Sequence, residues 1–198
     1  MNIIGVNNNG KYRSAVKGKV TKEYRSWNNL ISRISNKKQL EKYPNYKNCS
    51  ICEDWLIFDN FAKWHEENYY EIDNETMCLD KDILIKGNKI YSPETCIYVP
   101  NSINVLFTKS NKARGDFPIG VYYERDSGKF KSQLSYQEHR NSKKKRKNLG
   151  RFENYEDAFN KYKIEKEKYI KIVADRYKDE IPLKLYNAMY NYKVEMED

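Results

Sequence analysis

"FPIGVYYERDSGKFKSQLSY", Phe117 to Tyr136, decides how the second half of the chain folds. Two runs rich in Tyr, Val, Phe and Leu flank the turn Asp126-Ser127-Gly128. Each alternates side chains with the period of a strand that is buried on one side only. Val121 and Tyr123 therefore share one face of the first strand, and Phe130, Ser132 and Leu134 share the matching face of the second. The opposite face carries Tyr122, Glu124, Lys129, Lys131, Gln133 and Ser135. Further on, after the basic run "KKKRK" (143–147), "NLGRF" reads as a third strand. A helix follows, with Tyr155, Ala158, Phe159, Tyr162, Tyr169, Ile172 and Val173 on one stripe. Three antiparallel strands with a helix on one face leave the other face free.

Lysines interleaved with Tyr and Gln on that free face suit a DNA groove, with ammonium groups on phosphates and amides and hydroxyls on base edges. A solvated sheet face would alternate in the same way. The adjacent basic run favours nucleic acid, because such a run repels itself unless a polyanion neutralises it. The candidate DNA contacts are Tyr122, Lys129, Lys131, Gln133, Lys144, Lys145, Arg146 and Lys147.

Charge placement agrees. The chain has a net charge of +9, yet the segment from Glu53 to Asp82 carries −8, which leaves +17 on the remainder. An excess of that kind points to a polyanionic partner, nucleic acid before membrane. No apolar run approaches the ~20 residues of a membrane span, and the first residues lack the pattern of a signal peptide. These features predict a cytoplasmic protein with reduced cysteines.

Upstream, the polar stretch "KSNKARGD" (109–116) is read as a linker between a module at 1–108 and another at 117–198. Within the first module, "IIGV" and "KYRSAV" around Asn7–Gly10 predict a hairpin. A helix capped by Thr21 then buries Trp27, Leu30, Ile31 and Ile34, with Arg25 and Arg33 off the stripe where they could reach phosphate. A short strand, "CSIC", precedes an aromatic helix containing Phe58, Phe61, Ala62, Trp64 and Tyr69, with Asp59 as its cap. The stretch "MCLDKDILIKGNKIYSPETCIYVP" (77–100) predicts strand, Gly87-Asn88 turn and strand, and a short helix from Pro100 buries Ile103, Leu106 and Phe107. The fold class is α+β.

The second module resembles the APETALA-type, or ethylene-response-factor-type, DNA-binding domain. The resemblance rests on Gly120-Val121, Gly128-Lys129-Phe130, Leu149-Gly150-Arg151-Phe152, and Glu156-Asp157-Ala158 with Tyr162. It implies a three-stranded sheet that reads the major groove. Plant members carry arginines around the first strand where this chain has Tyr122 and Glu124, so sequence preference does not transfer. The run "LDKDILIKGNKIYSPETCIYVPNSIN" resembles phage-type HNH homing endonucleases, whose pattern is Leu-Asp-Arg-x-Asp, a Gly-rich turn, then Tyr-x-Pro-Glu-Asn-Cys. "GVNNNGKY", "EYRSWNNLISRI" and "YPNYKNCSICEDWLIFDNFAKW" extend that likeness towards the N-terminus.

An HNH site needs a histidine base, a metal-ligand pair and an asparagine. By motif, Asp80 takes the metal-ligand position, Lys81 stands where the base would be, Tyr91 holds the middle position and Thr95 replaces the asparagine. On a strand, Asp80 and Asp82 would share a face and could hold Mg²⁺ or Mn²⁺ through oxygen, with Glu94 completing the set. The plainer reading makes them surface carboxylates paired with Lys81, Lys86 or Lys89. The candidate catalytic residues are thus Asp80, Lys81, Asp82 and Glu94. Cys49, Cys52, Cys78 and Cys96 could hold a structural zinc, though buried thiols are the default. Of the two histidines, His65 sits in the aromatic helix and His139 beside the basic run, where it could touch phosphate.

The expected function is that of a phage-type DNA-binding protein with a degenerate, metal-dependent endonuclease site. The alternatives are a non-catalytic DNA-binding regulator or a phage inhibitor of a host defence nuclease, such as an anti-CRISPR. The partner is double-stranded DNA, with an acidic protein or an RNA-containing complex as the other options.

Overall fold

The computed structural model describes residues 5–108 and 116–198. The chain divides into two compact units, Met1–Asn101 and Ser102–Asp198. Most of the proposed linker, 109–115, lies outside the described residues.

The first unit is built on an aromatic core. A small hairpin, β1 (Ala15–Val16) and β2 (Lys19–Val20), leads into α1 (Lys22–Ser35), whose Thr21 cap accepts the amide of Tyr24. Trp27, Leu30 and Ile34 on α1 are buried together with Trp55, Phe58, Phe61, Ala62 and Trp64. The indole of Trp27 donates to the Trp55 carbonyl at 2.8 Å, so one side chain both fills the core and satisfies a buried backbone acceptor. α2 (Lys37–Lys42) and a single 3₁₀ turn at Pro44–Tyr46 connect to β3 (Ser50–Ile51), after which α3 (Phe58–Asn68) carries the aromatic face.

Three expectations for this unit are corrected. The hairpin turns at Lys17-Gly18 rather than at Asn7–Gly10. Val6 instead bridges to Ile57 in parallel, with Val6 N–H to the Leu56 carbonyl at 2.7 Å and Phe58 N–H to the Val6 carbonyl at 2.9 Å. Asp59 does not cap α3, which starts after Ile57 with no side-chain cap. Its carboxylate lies one residue inside the helix and accepts the amides of Lys11 at 2.8 Å and Tyr12 at 3.3 Å.

The 77–100 stretch is not a hairpin about Gly87-Asn88 either. β4 (Met77–Asp80) pairs antiparallel with β6 (Ile97–Pro100), Asp80 opposite Ile97. Between them, β5 (Ile90–Tyr91) pairs in parallel with β3. Strand β4 stops at Asp80 because the Asp80 carboxylate accepts the amides of Asp82 (2.9 Å) and Ile83 (2.7 Å), and this turn competes with the ladder. After β6 comes α4 (Asn101–Asn104), with Ile103 buried and Leu106 and Phe107 half-buried.

The second unit holds an antiparallel sheet in the order β7 (Val121–Glu124), β8 (Lys129–Tyr136), β9 (Lys145–Phe152). It packs on α5 (Tyr155–Arg176), which is capped by Asn154 and followed by α6 (Leu183–Tyr190). The α+β class is as expected. Val121, Ser132, Leu134, Ala158, Phe159, Tyr162, Tyr169 and Val173 are buried. Two stripe positions are exposed, Tyr155 at 37% and Ile172 at 50%, whereas Ile170 and Ala174, off the expected stripe, are buried. Because α5 also packs against α6, its apolar surface is wider than one sheet-facing stripe and extends to the side away from Ile172. Gly120 is fixed by close approach. Its φ is +79°, and a Cβ there would lie 2.1 Å from the Tyr162 ring.

No helix among the described residues is long and apolar enough to cross a membrane.

Two predictions follow from this packing. Gly120→Ala should destabilise the protein by about 2–4 kcal/mol, combining left-handed strain with overpacking, read as a lower urea midpoint. His65 is buried, its ring stacked on Tyr69 at 4.6 Å and edge-on to Tyr98. Burial lowers its pKa, the nearby Glu23 only partly opposing this. The native state therefore keeps the ring neutral while the unfolded chain protonates near pH 6.5, so stability falls as pH drops below about 6.5. His65→Phe should flatten that acid limb in thermal melts at pH 5 and pH 7.5.

Candidate nucleic-acid interface and the acidic loop

The free face of the sheet is set by register. Tyr122 lies opposite Lys131, which lies opposite Arg151; Gln133 faces Asn148, and Ser135 faces Arg146. Cross-strand partners share a face, so Tyr122, Lys131, Arg151, Gln133, Asn148, Ser135 and Arg146 form rows on one surface. Arg146 and Arg151 are five residues apart and would point to opposite sides of a regular strand. They coincide because a bulge shifts the register between Ser132 and Gln133, with Leu149 as the extra residue and Gly150 at φ +126°. The Asn148 side chain accepts the Gly150 amide at 3.1 Å and holds the bulge.

The basic run is partly strand rather than loop. Lys145 to Lys147 begin β9 and split between its faces. Lys147 pairs in register with the buried Leu134, and its ammonium meets Glu165 of α5 at 2.9 Å. Lys145 contacts Glu138 at 2.6 Å. Arg146 remains on the free face, and Lys144 is exposed just before the strand. His139, in the loop between β8 and β9, lines a small pocket with Arg140, Arg176 and Tyr177. Arg140 stacks on Tyr177 at 3.7 Å and pairs with Glu180, while Arg176 donates to the Gln137 carbonyl at 3.0 Å.

On the free face Glu124 sits between two cations, contacting Lys131 at 3.3 Å and the Arg151 guanidinium. The Arg151 hydrogen bond holds the Glu124 carboxyl below its usual range. Lys129 meets Glu153 at 2.7 Å, and the Tyr122 ring is 51% exposed. Arg151 and Asn148 are the residues of this face that strand-by-strand reading missed. The one signal for them was Gly150, whose positive φ marks the change of phase.

In the first unit, the four expected catalytic residues divide. Lys81 is buried; its ammonium meets the Asp82 carboxylate and the Asn88 carbonyl, each at 3.0 Å, and lies 5.8 Å from the Tyr91 ring centre. Asn88 returns the contact, donating to the carbonyls of Lys81 and Ile90 at 2.7 Å. Asp82 lies beyond the end of β4, so the shared strand face expected for Asp80 and Asp82 does not form, because the Asp80 turn ends the strand first. Burial, reinforced by the charge of Asp82, pushes the Asp80 carboxyl up to about 6 despite the two amides it accepts. Glu94 is exposed, and Ser92 holds its carboxyl below the usual range. Thr95, at the asparagine position, fixes the loop by donating to the Ile90 carbonyl at 2.7 Å and accepting the Ser92 amide at 3.2 Å. Arg33 is half-buried and lies against Tyr46 and Tyr91.

Cys49 and Cys96 are buried in the aromatic core, with Cys52 packed against it. Cys78 contacts the Asn101 side chain at 3.7 Å. Burial raises the pKa of all four thiols, that of Cys96 to about 12. Among the described residues, no three His, Cys, Asp or Glu side chains converge as a metal-holding group.

No protein-family model, curated protein or solved structure matches the chain.

Lys81 ties the start of the loop to its turn at Asn88, so Lys81→Met should cost about 1–3 kcal/mol by leaving Asp82 and the Asn88 carbonyl without their donor. Differential scanning calorimetry at neutral pH measures this. An unchanged transition would mean that Lys81 is not what closes the loop.

Proposed function

We propose that the protein binds double-stranded DNA through the free face of the β7–β8–β9 sheet. The observation that carries this reading is the in-register row Tyr122–Lys131–Arg151, continued by Gln133–Asn148 and Arg146 on the same surface. Two guanidinium groups, an ammonium and two carboxamides on one sheet face would supply phosphate neutralisation and donor–acceptor pairs for base edges. The APETALA-type motifs fall on this sheet and its helix, and Gly120 and Tyr162, both in the motif, are in contact. Lys144 extends the basic surface at the strand's start.

The first unit carries the HNH-like stretch. A divalent cation, Mg²⁺ or Mn²⁺, would be held by Asp80 and Asp82 and would supply Lewis-acid activation of a phosphodiester. Both carboxylates already serve the turn and Lys81, and the lysine at the base position is committed to two acceptors. These commitments favour DNA binding without cleavage, the behaviour of a regulator or of an inhibitor derived from a nuclease. The setting for such a protein is the cytoplasm of a host cell carrying a phage or mobile element.

Gel-shift titration of duplex DNA across a salt series tests the binding. Lys131→Ala and Arg151→Ala should each weaken affinity and reduce the salt slope by about 0.9. Glu124→Gln, which frees both cations, should tighten binding to unrelated sequences. Equal slopes for wild type and both alanine variants would remove the sheet face from the interface. Plasmid nicking with Mg²⁺ or Mn²⁺ tests the other reading: no cleavage is expected, and cleavage abolished by Asp80→Ala would establish a nuclease.

A further inference from the structure

We infer that the β1–β2 hairpin is a second nucleic-acid contact, a cationic arm laid against the phosphate backbone of duplex DNA. The inference rests on the DNA-binding reading above but on separate residues in the other unit. Every residue from Ala15 to Val20 is exposed, so neither face of this ribbon packs on the core. A two-stranded hairpin of this length has little stability of its own, yet its base is fastened twice. The Asp59 carboxylate holds the amides of Lys11 and Tyr12. Thr21 donates through its amide to the Ser14 carbonyl and through its hydroxyl to the Arg13 carbonyl, each at 3.0 Å. The fold thus fixes the foot of a ribbon from which it gains little buried surface, Val16 being 54% and Val20 48% exposed.

Its charge indicates what the ribbon meets. From Lys11 to Lys22 there are five basic residues and no acidic one. Lys11 pairs with Glu66 and Lys22 with Glu71, both at the foot. Arg13, Lys17 and Lys19 make no ion pair among the described residues. On the sheet of the other unit, by contrast, Lys129, Lys131 and Arg151 all have carboxylate partners.

The tip adds a local cost. Lys17 (φ 49°) and Gly18 (φ 75°) form a two-residue turn of the kind that needs positive φ at both positions. Asn-Gly is the favoured pair there, and a lysine in the left-handed region is strained. A cation where asparagine would be more stable is accounted for by a ligand that uses the charge. A two-stranded ribbon fits the major groove, whose walls are lined by phosphates. Because all three free cations are suited to phosphate, the arm adds affinity without sequence preference.

The test is the triple variant Arg13→Gln, Lys17→Asn, Lys19→Gln in the full chain. The Lys17→Asn change also relieves the turn, so the fold is kept, which a thermal melt verifies. Against duplex DNA, loss of three phosphate contacts should reduce the salt slope by about 2.7, shrinking the wild-type advantage about fortyfold between 50 and 200 mM salt. Relative affinities for different sequences should stay as in wild type. If wild type binds duplex DNA and the triple variant binds with the same slope, the arm is overturned while the sheet reading stands. If wild type does not bind DNA at all, both fall. Loss of binding to an acidic protein, with DNA binding unchanged, likewise overturns the arm.

Discussion

A chain that is 39% apolar has to close two separate cores, and that shortage shapes both units. Each core is built from large aromatics that bury much area per residue and also make polar contacts. The Trp27 indole bonds the Trp55 carbonyl, the Tyr70 hydroxyl bonds the Tyr98 carbonyl, and the Tyr169 hydroxyl accepts the Gln137 amide. The same economy explains why Gly120 is required. A broad ring such as Tyr162 lies so close to the first strand that no side chain fits between them.

The elements with a single apolar stripe were legible in the sequence. The cap at Thr21, the stripe of α1, the pairing of β7 with β8, and the buried Val121 beside the exposed Tyr122 follow from local periodicity, although Tyr123, expected on the Val121 face, is 47% exposed. Features set by long-range partners were not. The HNH-like stretch reads as one hairpin because Gly87-Asn88 is a good turn, yet β5 leaves that hairpin to pair with β3 forty residues earlier. Likewise, the alternation that put Asp80 and Asp82 on one face assumed a strand that the Asp80 side chain itself terminates. Alternation along β9 failed at one residue, Leu149, and with it went the placement of Arg151.

The bulge at Leu149 and the lysine at position 81 illustrate opposite uses of a departure from pattern. At Leu149–Gly150 an extra residue re-aims a side chain, bringing Arg151 onto the surface that already holds Arg146 and Lys131. At Lys81 a cation at the position expected for a base is drawn inward. Its ammonium ties the start of the acidic loop to Asn88 at the turn, and Thr95 fixes the loop's end. Moving that ammonium out of its two contacts would leave the Asp82 carboxylate and the Asn88 carbonyl without their donor. The loop geometry and a base at that position are therefore competing demands on one side chain.

Lys129, Lys131 and Arg151 of the sheet are held differently from Arg13, Lys17 and Lys19 of the hairpin, which bears on how DNA would be engaged in the proposed complex. On the sheet, Lys131 and Arg151 share Glu124 and Lys129 has Glu153, so a phosphate must replace a carboxylate rather than meet a bare charge. That exchange lowers the gain from any duplex, and it falls least where base edges compensate for the displaced carboxylate. Glu124, central to the face, is also an acceptor of the kind that suits the amino group of cytosine. Arg13, Lys17 and Lys19 have no such competitor among the described residues, and in the proposed complex they would gain the full benefit of counterion release on any sequence. Paired charges over a reading surface favour discrimination, while unpaired charges on an arm favour retention.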